Sequence, residues 1–174
     1  FYTYWTHIAR YFPEERELII KQVRDLTNYI VDNNYQLIDW DGERTRWGNW
    51  SPESLNGDPG WYLEHGLNAV QILSFLKVAH HITGDAKFKE HFDKLILEHD
   101  YLNNALLAKK IFPDENNHSD NQLGFVAWYP WLQLERDPRV RDGILKAVRR
   151  HYRILERDKS SFFFLAAATI DPDY

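Results

Sequence analysis

The sequence predicts an all-α protein of stacked αα-hairpins, with a β-hairpin-like segment inserted around residues 35–50. Segments that are apolar on nearly every side alternate with helices that are apolar on one face and charged on the other. Because an all-round apolar helix must be covered on every side, we expect the one-sided helices to wrap the apolar ones in two concentric layers. A plain helical bundle is the alternative, but it does not explain the alternation.

The clearest apolar segment covers residues 64–84 and is predicted to be an inner helix. Its apolar side chains are spread around the helix axis, at Leu67, Ala69, Val70, Ile72, Leu73, Phe75, Leu76, Val78 and Ala79. Polar residues recur at every third position between them, at Asn68, Gln71, Ser74 and Lys77. This spacing places the polar residues along one narrow side of a helix that is otherwise buried.

The chain before this helix is predicted to contain an inner helix over residues 1–11 and then an outer helix. Pro13 followed by acidic residues is typical of a helix start. The apolar residues of the outer helix share one face, at Ile19, Ile20, Val23, Leu26, Tyr29 and Ile30. Farther on, Asp41 and Gly42 favour a tight hairpin turn, because aromatic and β-branched residues lie on both sides of them.

Short helical turns are expected between the hairpin and the inner helix, since Ser51 and Asp58 are each followed by proline. After that helix ends at Gly84, Asp85 is predicted to cap a second outer helix. The apolar face of this outer helix carries Phe88, Phe92, Leu95 and Ile96. A long irregular connection is expected over residues 100–118.

The last part of the chain repeats the alternation. Ser119 and Gln122 fit a capping box that opens a further inner helix, with a kink expected at Pro130. Asp137 is predicted to cap an outer helix whose arginines and lysine face solvent and whose apolar face carries Val140, Ile144, Val148, Tyr152 and Leu155. Residues 161–170 form another apolar segment, which is expected to be an inner helix.

Composition limits the classes of function. The 174 residues suit one domain, and a net charge of -5 argues against a general nucleic-acid or anionic-membrane partner. The longest apolar stretches are too short to span a bilayer. The histidines lack the spacing of metal ligands, and the sequence has no glycine-rich phosphate-binding loop, so no metal or cofactor is predicted.

The lengths of the connections indicate where a site would lie. Turns from inner to outer helices are short, whereas two of the three connections from outer to inner helices are long. In a stack of antiparallel hairpins, these long connections all lie at the end where the inner helices begin. Because long connections in compact domains are often functional, we expect the site at the N-terminal ends of the inner helices.

The alternating hairpins, the long connections and the aromatic-rich loop from Trp40 to Trp61 resemble the (α/α) toroids of the six-hairpin glycosidase superfamily. The resemblance implies that a carbohydrate binds in a cup at the N-terminal ends of the inner helices, between tryptophans and paired acids. It also favours a periplasmic or extracellular location. The chain has about half of the hairpins of a closed ring, so residues 1–174 are expected to be a single domain, part of a longer (α/α) toroid.

Glu64 and Asp120 are the candidate catalytic residues, because each lies at the start of a predicted inner helix. Glycoside hydrolysis needs two carboxyl groups, one to protonate the leaving oxygen and one to attack or to activate water. The alternative is a purely structural role, since the helix dipole stabilises an ionised carboxylate at a helix N-terminus.

Candidate substrate-binding residues lie in the long loop, at Trp47, Trp50, Trp61 and Arg46. Aromatic faces beside hydrogen-bond donors suit a sugar ring, although the tryptophans could equally anchor the loop to the helices. Asn117, His118 and Tyr129 complete the candidate set. Asparagine, histidine and tyrosine also serve toroidal polysaccharide lyases, which makes a lyase another possible function.

A non-catalytic helical module of a larger protein is the alternative from a different class of function. Residues 1–12 and 161–174 are rich in aromatic and apolar side chains. If these segments expose apolar surface, the chain is expected to self-associate.

Overall fold

The computed structural model describes residues 1–108 and 117–172, apart from the side chain of Ala9. Within these residues the chain forms nine α-helices and one two-stranded antiparallel sheet, so the predicted mostly helical fold is confirmed. The helices are α1 Tyr2–Tyr11, α2 Arg16–Asp32, α3 Pro52–Leu55, α4 His65–Thr83, α5 Ala86–His99, α6 Tyr101–Leu106, α7 His118–Leu134, α8 Pro138–Leu155 and α9 Ser161–Ile170. The strands are β1 Gln36–Ile38 and β2 Arg44–Asn49.

Helix α4 lies at the centre of the described fold. Its apolar side chains are covered on almost every side, and Leu73 is 0% exposed. The helices that pack against it are α1, α2, α5, α6 and α7. The polar side chains of α4 do not form one narrow seam. Asn68 Nδ2 donates to the Asn49 carbonyl at 2.8 Å, whereas Lys77, on the opposite side of the helix at about 100° per residue, forms an ion pair with Glu135. The burial of its apolar side chains nevertheless confirms the inner position that the sequence predicts for this helix.

Helix α7 is the second buried helix, and its core side includes Phe125, Trp128 and Trp131. The helix continues through Pro130, whose missing N–H leaves the carbonyl of Val126 without its usual helical partner. The Thr3 hydroxyl of α1 donates to that carbonyl at 2.7 Å. Packing of α1 against α7 thus supplies the hydrogen bond that the proline removes.

The predicted start of α7 is wrong by two residues. The helix begins at His118, and Asn117 is the N-cap, because its Oδ1 accepts from the backbone N–H of Ser119 at 3.1 Å. Ser119 is therefore not the first residue of a capping box with Gln122. Asparagine and serine are both good N-caps, so composition does not decide between two neighbouring candidates.

Helix α9 differs from the expected inner helix. Phe163, Ala167 and Ile170 are buried against the neighbouring helices α7 and α8. Phe162, Phe164 and Leu165 are exposed, with fractions of 41%, 59% and 61%. Within the described residues, only one side of this apolar helix is covered.

The outer helices α2, α5 and α8 bury one face each, as predicted. The charged face of α8 is less open to solvent than expected. Arg149 forms a two-point ion pair with the buried Asp171 after α9, and Arg150 donates to the carbonyl oxygens of Leu106 and Ala108. Arg141 donates to the Leu132 carbonyl. These arginines join α8 to its neighbours.

The connections match the prediction in part. Strands β1 and β2 form the expected hairpin, and Gly42 adopts a φ of 83° in its turn. Ser51, Asp58, Asp85 and Asp137 all cap the helices that follow them. The second long connection contains the unpredicted helix α6, and its residues 109–116 lie outside the described residues.

The position of α1 departs from a regular stack of hairpins. In such a stack α4 would separate α1 from α7, yet α1 packs against both α4 and α7. Its Tyr2 and Trp5 side chains are buried, and the Tyr2 hydroxyl is hydrogen-bonded to Thr27 of α2 at 2.8 Å. None of the helices in the described ranges has the combination of length and apolarity needed to cross a membrane.

Gly66 allows α6 to approach the first turn of α4 closely. A Cβ atom at this position would lie 2.6 Å from Ala108 Cα and 3.0 Å from the Asn104 carbonyl oxygen. Both contacts are with backbone, which cannot move independently of α6. Although alanine usually stabilises a helix relative to glycine, we expect Gly66→Ala to lower the free energy of unfolding by about 1–3 kcal/mol.

Chemical denaturation of the Gly66→Ala variant measures this effect. Gly143→Ala in α8 is the control, because its Cβ would meet the movable end of the Leu106 side chain, at 2.9 Å, and not backbone. The control should lose less stability than Gly66→Ala. A Gly66→Ala variant that is more stable than the parent would contradict the close approach of the two helices.

Candidate functional site

A cleft of about 310 Å³ lies beside the N-terminal ends of α4 and α7. This is the end of the inner helices at which the sequence predicts a site. The lining is mixed, with two carboxylic acids, three amides, a serine, a tryptophan and two leucines. These residues are Trp47, Glu64, Leu67, Asn68, Gln71, Asn117, Ser119, Asp120 and Leu123.

The two predicted acids line this same cleft. Glu64 immediately precedes α4, and Asp120 lies in the first turn of α7. Both residues are partly buried. Glycoside hydrolysis uses a pair of carboxyl groups that flank the scissile bond, and both members of the predicted pair lie beside this cleft.

Trp47 at the end of β2 forms the aromatic wall of the cleft and is 61% exposed. The edge of the Trp61 ring packs against it, with the ring centroids 6.4 Å apart. The guanidinium carbon of Arg46 lies 4.6 Å from the Trp47 ring centroid, and that of Arg44 lies 5.9 Å from the Trp61 centroid. The hairpin thus presents Trp47 with a large exposed surface, in contact with the Trp61 ring and the Arg46 guanidinium group.

The amide side chains Asn68 and Gln71 belong to the cleft but were not among the predicted site residues. Gln71 Oε1 accepts from the Trp50 indole N–H at 2.9 Å, which fixes the orientation of the amide and turns its NH2 group away from Trp50. A usable signal exists in the sequence, because Glu64, Asn68 and Gln71 are spaced by four and three residues and therefore share one helix face.

Trp50 does not line the cleft. It is 6% exposed, its ring packs edge-on against Phe75, and its backbone carbonyl accepts from the Tyr101 hydroxyl at 2.7 Å. Its contribution to the site is indirect, through the hydrogen bond to Gln71. The Trp50 ring is therefore not placed to contact a ligand in this cleft.

The structure does not bring Asn117, His118 and Tyr129 together. Asn117 lines the cleft, whereas the His118 ring stacks on Phe163 with centroids 6.0 Å apart and lies 3.9 Å from an Asp158 carboxylate oxygen. Tyr129 is twelve residues beyond Asn117 along α7, which is about 18 Å at the helical rise. Among the described residues, this set has no common cleft that could serve lyase chemistry.

Over the two described ranges, no cluster of three or more acidic and histidine side chains is arranged to hold a metal ion. The lining of the cleft offers carboxyl groups, amides and one aromatic face. Comparisons with protein-family models, with curated proteins and with solved structures find no match to this chain.

Proposed function

We propose that the chain is a carbohydrate-binding, glycoside-hydrolase-like protein built as part of an (α/α) toroid. The observation that supports this proposal is that Glu64, Asp120 and Trp47 line one cleft, although they come from three separate elements of the fold. A sugar ring has an apolar face that can stack on an indole and hydroxyl groups that can bond to amides and carboxylates. The cleft offers both kinds of partner.

The two acids would have different roles in glycoside hydrolysis. Asp120 lies in the first turn of α7 and Glu64 at the N-cap position of α4, so the starts of the two helices each supply one carboxyl group to the cleft. One of the two carboxyl groups would donate a proton to the leaving oxygen, and the other would attack the sugar or activate water. Gln71, held by Trp50, would hydrogen-bond to a sugar hydroxyl.

Binding to neutral and uronate-containing oligosaccharides can be measured by titration calorimetry. Replacing Trp47 by alanine should weaken binding about tenfold, since the stacking surface is lost. Trp40→Ala is the matched control, because Trp40 is 93% exposed on the same hairpin and does not line the cleft. Equal affinity in the two variants, or no binding of any oligosaccharide by the parent, would overturn the proposed function.

Hydrolysis is tested separately from binding. In Asp120→Asn and in Glu64→Gln, the rate of hydrolysis should fall by about a hundredfold or more while oligosaccharide binding is retained. Both changes preserve the shape of the side chain and remove its acid–base chemistry. Unchanged turnover in the Asp120→Asn variant would remove this residue from the mechanism.

A second candidate function is a non-catalytic helical interaction module. It is favoured by an exposed apolar face that α7 and α9 share, to which Val126, Phe162 and Leu165 contribute. If this face mediates association between copies, sedimentation equilibrium should show oligomers that dissociate in a Phe162→Asp, Leu165→Asp variant. A chain that stays monomeric at high concentration would contradict this candidate.

A further inference from the structure

A second polar pocket lies at the opposite end of the inner helices. It has a volume of about 450 Å³ and is formed by the C-terminal halves of α1, α4 and α7 together with the first residue of α2. Its ionisable and aromatic lining consists of His7, Arg10, Tyr11, Arg16, His81 and Tyr129. No residue of the carbohydrate cleft contributes to this pocket.

Two arginines, Arg10 and Arg16, give the pocket a positive charge, although the chain as a whole has a net charge of -5. Its described lining contains two arginines and two histidines but no aspartate or glutamate. Neither Arg10 nor Arg16 forms an ion pair with a carboxylate of the described chain. Burial, and then the positive charges of Arg136 and His80, lower the pKa of His81.

Compensation of helix dipoles explains only part of this charge. Arg10 lies in the last turn of α1, where a cation is favourable. Arg16 is the first residue of α2, where the dipole disfavours a cation. Glu135, which follows α7 in the chain, is already bonded to Lys77, Trp131 and two backbone N–H groups. It is therefore not available to neutralise the pocket.

Stacked rings build the wall of the pocket. The His7 ring stacks on Tyr129 with centroids 5.5 Å apart and an interplanar angle of 20°, so α1 and α7 are joined at this point. The Arg10 guanidinium carbon lies 5.5 Å from the Tyr11 ring centroid. These contacts restrict the side chains that face the pocket, which lowers the entropic cost of binding a ligand there.

We propose that this pocket binds a small ligand through an oxyanion group, either a carboxylate or a phosphate, held by the guanidinium groups of Arg10 and Arg16. Guanidinium groups pair with both kinds of oxyanion through two parallel hydrogen bonds. His7 and Tyr129 would contact the rest of the ligand. The pocket is a separate site, so this proposal does not depend on carbohydrate binding.

Titration calorimetry with inorganic phosphate and with citrate, at constant ionic strength set by chloride, tests the proposal. At least one of the two anions should bind, and an Arg10→Gln, Arg16→Gln variant should bind it at least tenfold more weakly. An Arg139→Gln, Arg153→Gln variant is the control, because both of its arginines are exposed on α8 outside the pocket. Similar weakening in both variants, or no binding of either anion, would overturn the proposal.

A second measurement does not depend on the variants folding. In NMR spectra of the unaltered chain, adding the bound anion should shift the imidazole signals of His7 and His81 and leave those of His99 on α5 unchanged. Equal shifts at all three histidines would indicate a general salt effect and contradict the site. A Trp47→Ala variant should retain anion binding, which separates the outcome from that of the carbohydrate experiment.

Discussion

Replacing Leu73 by alanine should lower the free energy of unfolding by about 3 kcal/mol, within the range of 2–5 kcal/mol typical of buried leucines. Leu73 lies in the middle of α4 and is 0% exposed, with neighbouring helices on all sides of α4. The variant loses the apolar contacts of the side chain and leaves a cavity that the packed helices fill only in part. Urea denaturation followed by circular dichroism measures the change.

Leu97→Ala on α5 is the matched control for this prediction. Leu97 is 82% exposed and lies on the outer face of an outer helix. The same chemical change there should alter the free energy of unfolding by less than about 0.5 kcal/mol. Comparable losses in the two variants would contradict the layered arrangement, in which α4 is wrapped and α5 is half open.

Removing the Glu135 carboxylate should destabilise the fold by about 3 kcal/mol. The side chains of Glu135 and Lys77 are only 6% and 19% exposed, and their ion pair joins α4 to the turn between α7 and α8. Glu135 also accepts from the Trp131 indole N–H at 2.9 Å and from the backbone N–H of Asp137 at 3.0 Å. A Glu135→Ala variant leaves the partly buried Lys77 cation without its partner, and an unpaired buried charge lowers the free energy of unfolding.

The effect of Glu135 should depend on pH. Burial raises the pKa of Glu135. Hydrogen bonds from Lys77, the Asp137 N–H and Trp131, together with the positive charge of Lys77, lower it by more, so the pKa of Glu135 lies below its ordinary value of 4.5. A carboxyl with a lowered folded-state pKa stabilises the fold fully above its unfolded-state value. The stability difference between parent and Glu135→Ala should therefore be largest near neutral pH and shrink as the pH falls below 4.5.

A double variant separates the ion pair from the packing around it. Lys77→Met, Glu135→Gln removes both charges and keeps side chains of similar length. This variant should be more stable than Glu135→Ala, since no buried cation is left unpaired. If Glu135→Ala is as stable as the parent at neutral pH, the pair does not hold α4 to the turn between α7 and α8.

The sequence allowed the layering to be predicted because burial depends on residue type at helical spacing. Leu73 and Phe125 are apolar in segments without a charged face, and both are buried. The caps at Asp85 and Asp137 could be predicted too, since capping is a contact between residues two positions apart. Interactions within one turn of helix are readable from the chain itself.

Features that depend on distant parts of the chain could not be predicted. Helix α6 has only six residues, and it forms where Tyr101 and Ala105 can pack against α4. The sequence also does not show which side of α9 is exposed. The helix is apolar on both sides, and the neighbouring helices determine which side is covered. Both the formation of α6 and the burial of one side of α9 depend on where the neighbouring helices lie.

In the candidate site, too, some features could be predicted from the local sequence and others could not. Glu64 and Asp120 were predicted from their places at helix starts, and the structure places both beside one cleft. Trp47 and Trp50 are three residues apart in the same loop, yet one is exposed in the cleft and the other is buried beneath it. The hairpin decides which indole faces outward, and sequence composition contains no information on that choice.

The most direct test of the proposed carbohydrate cleft is an NMR titration that follows the indole N–H signals of the tryptophans as oligosaccharide is added. The proposal predicts that the Trp47 signal shifts in a saturable manner, with a smaller change at Trp61. The signals of the buried Trp128 and Trp131 should stay unchanged. A titration in which Trp47 does not shift, or in which only Trp40 at the hairpin tip does, would contradict carbohydrate binding in this cleft.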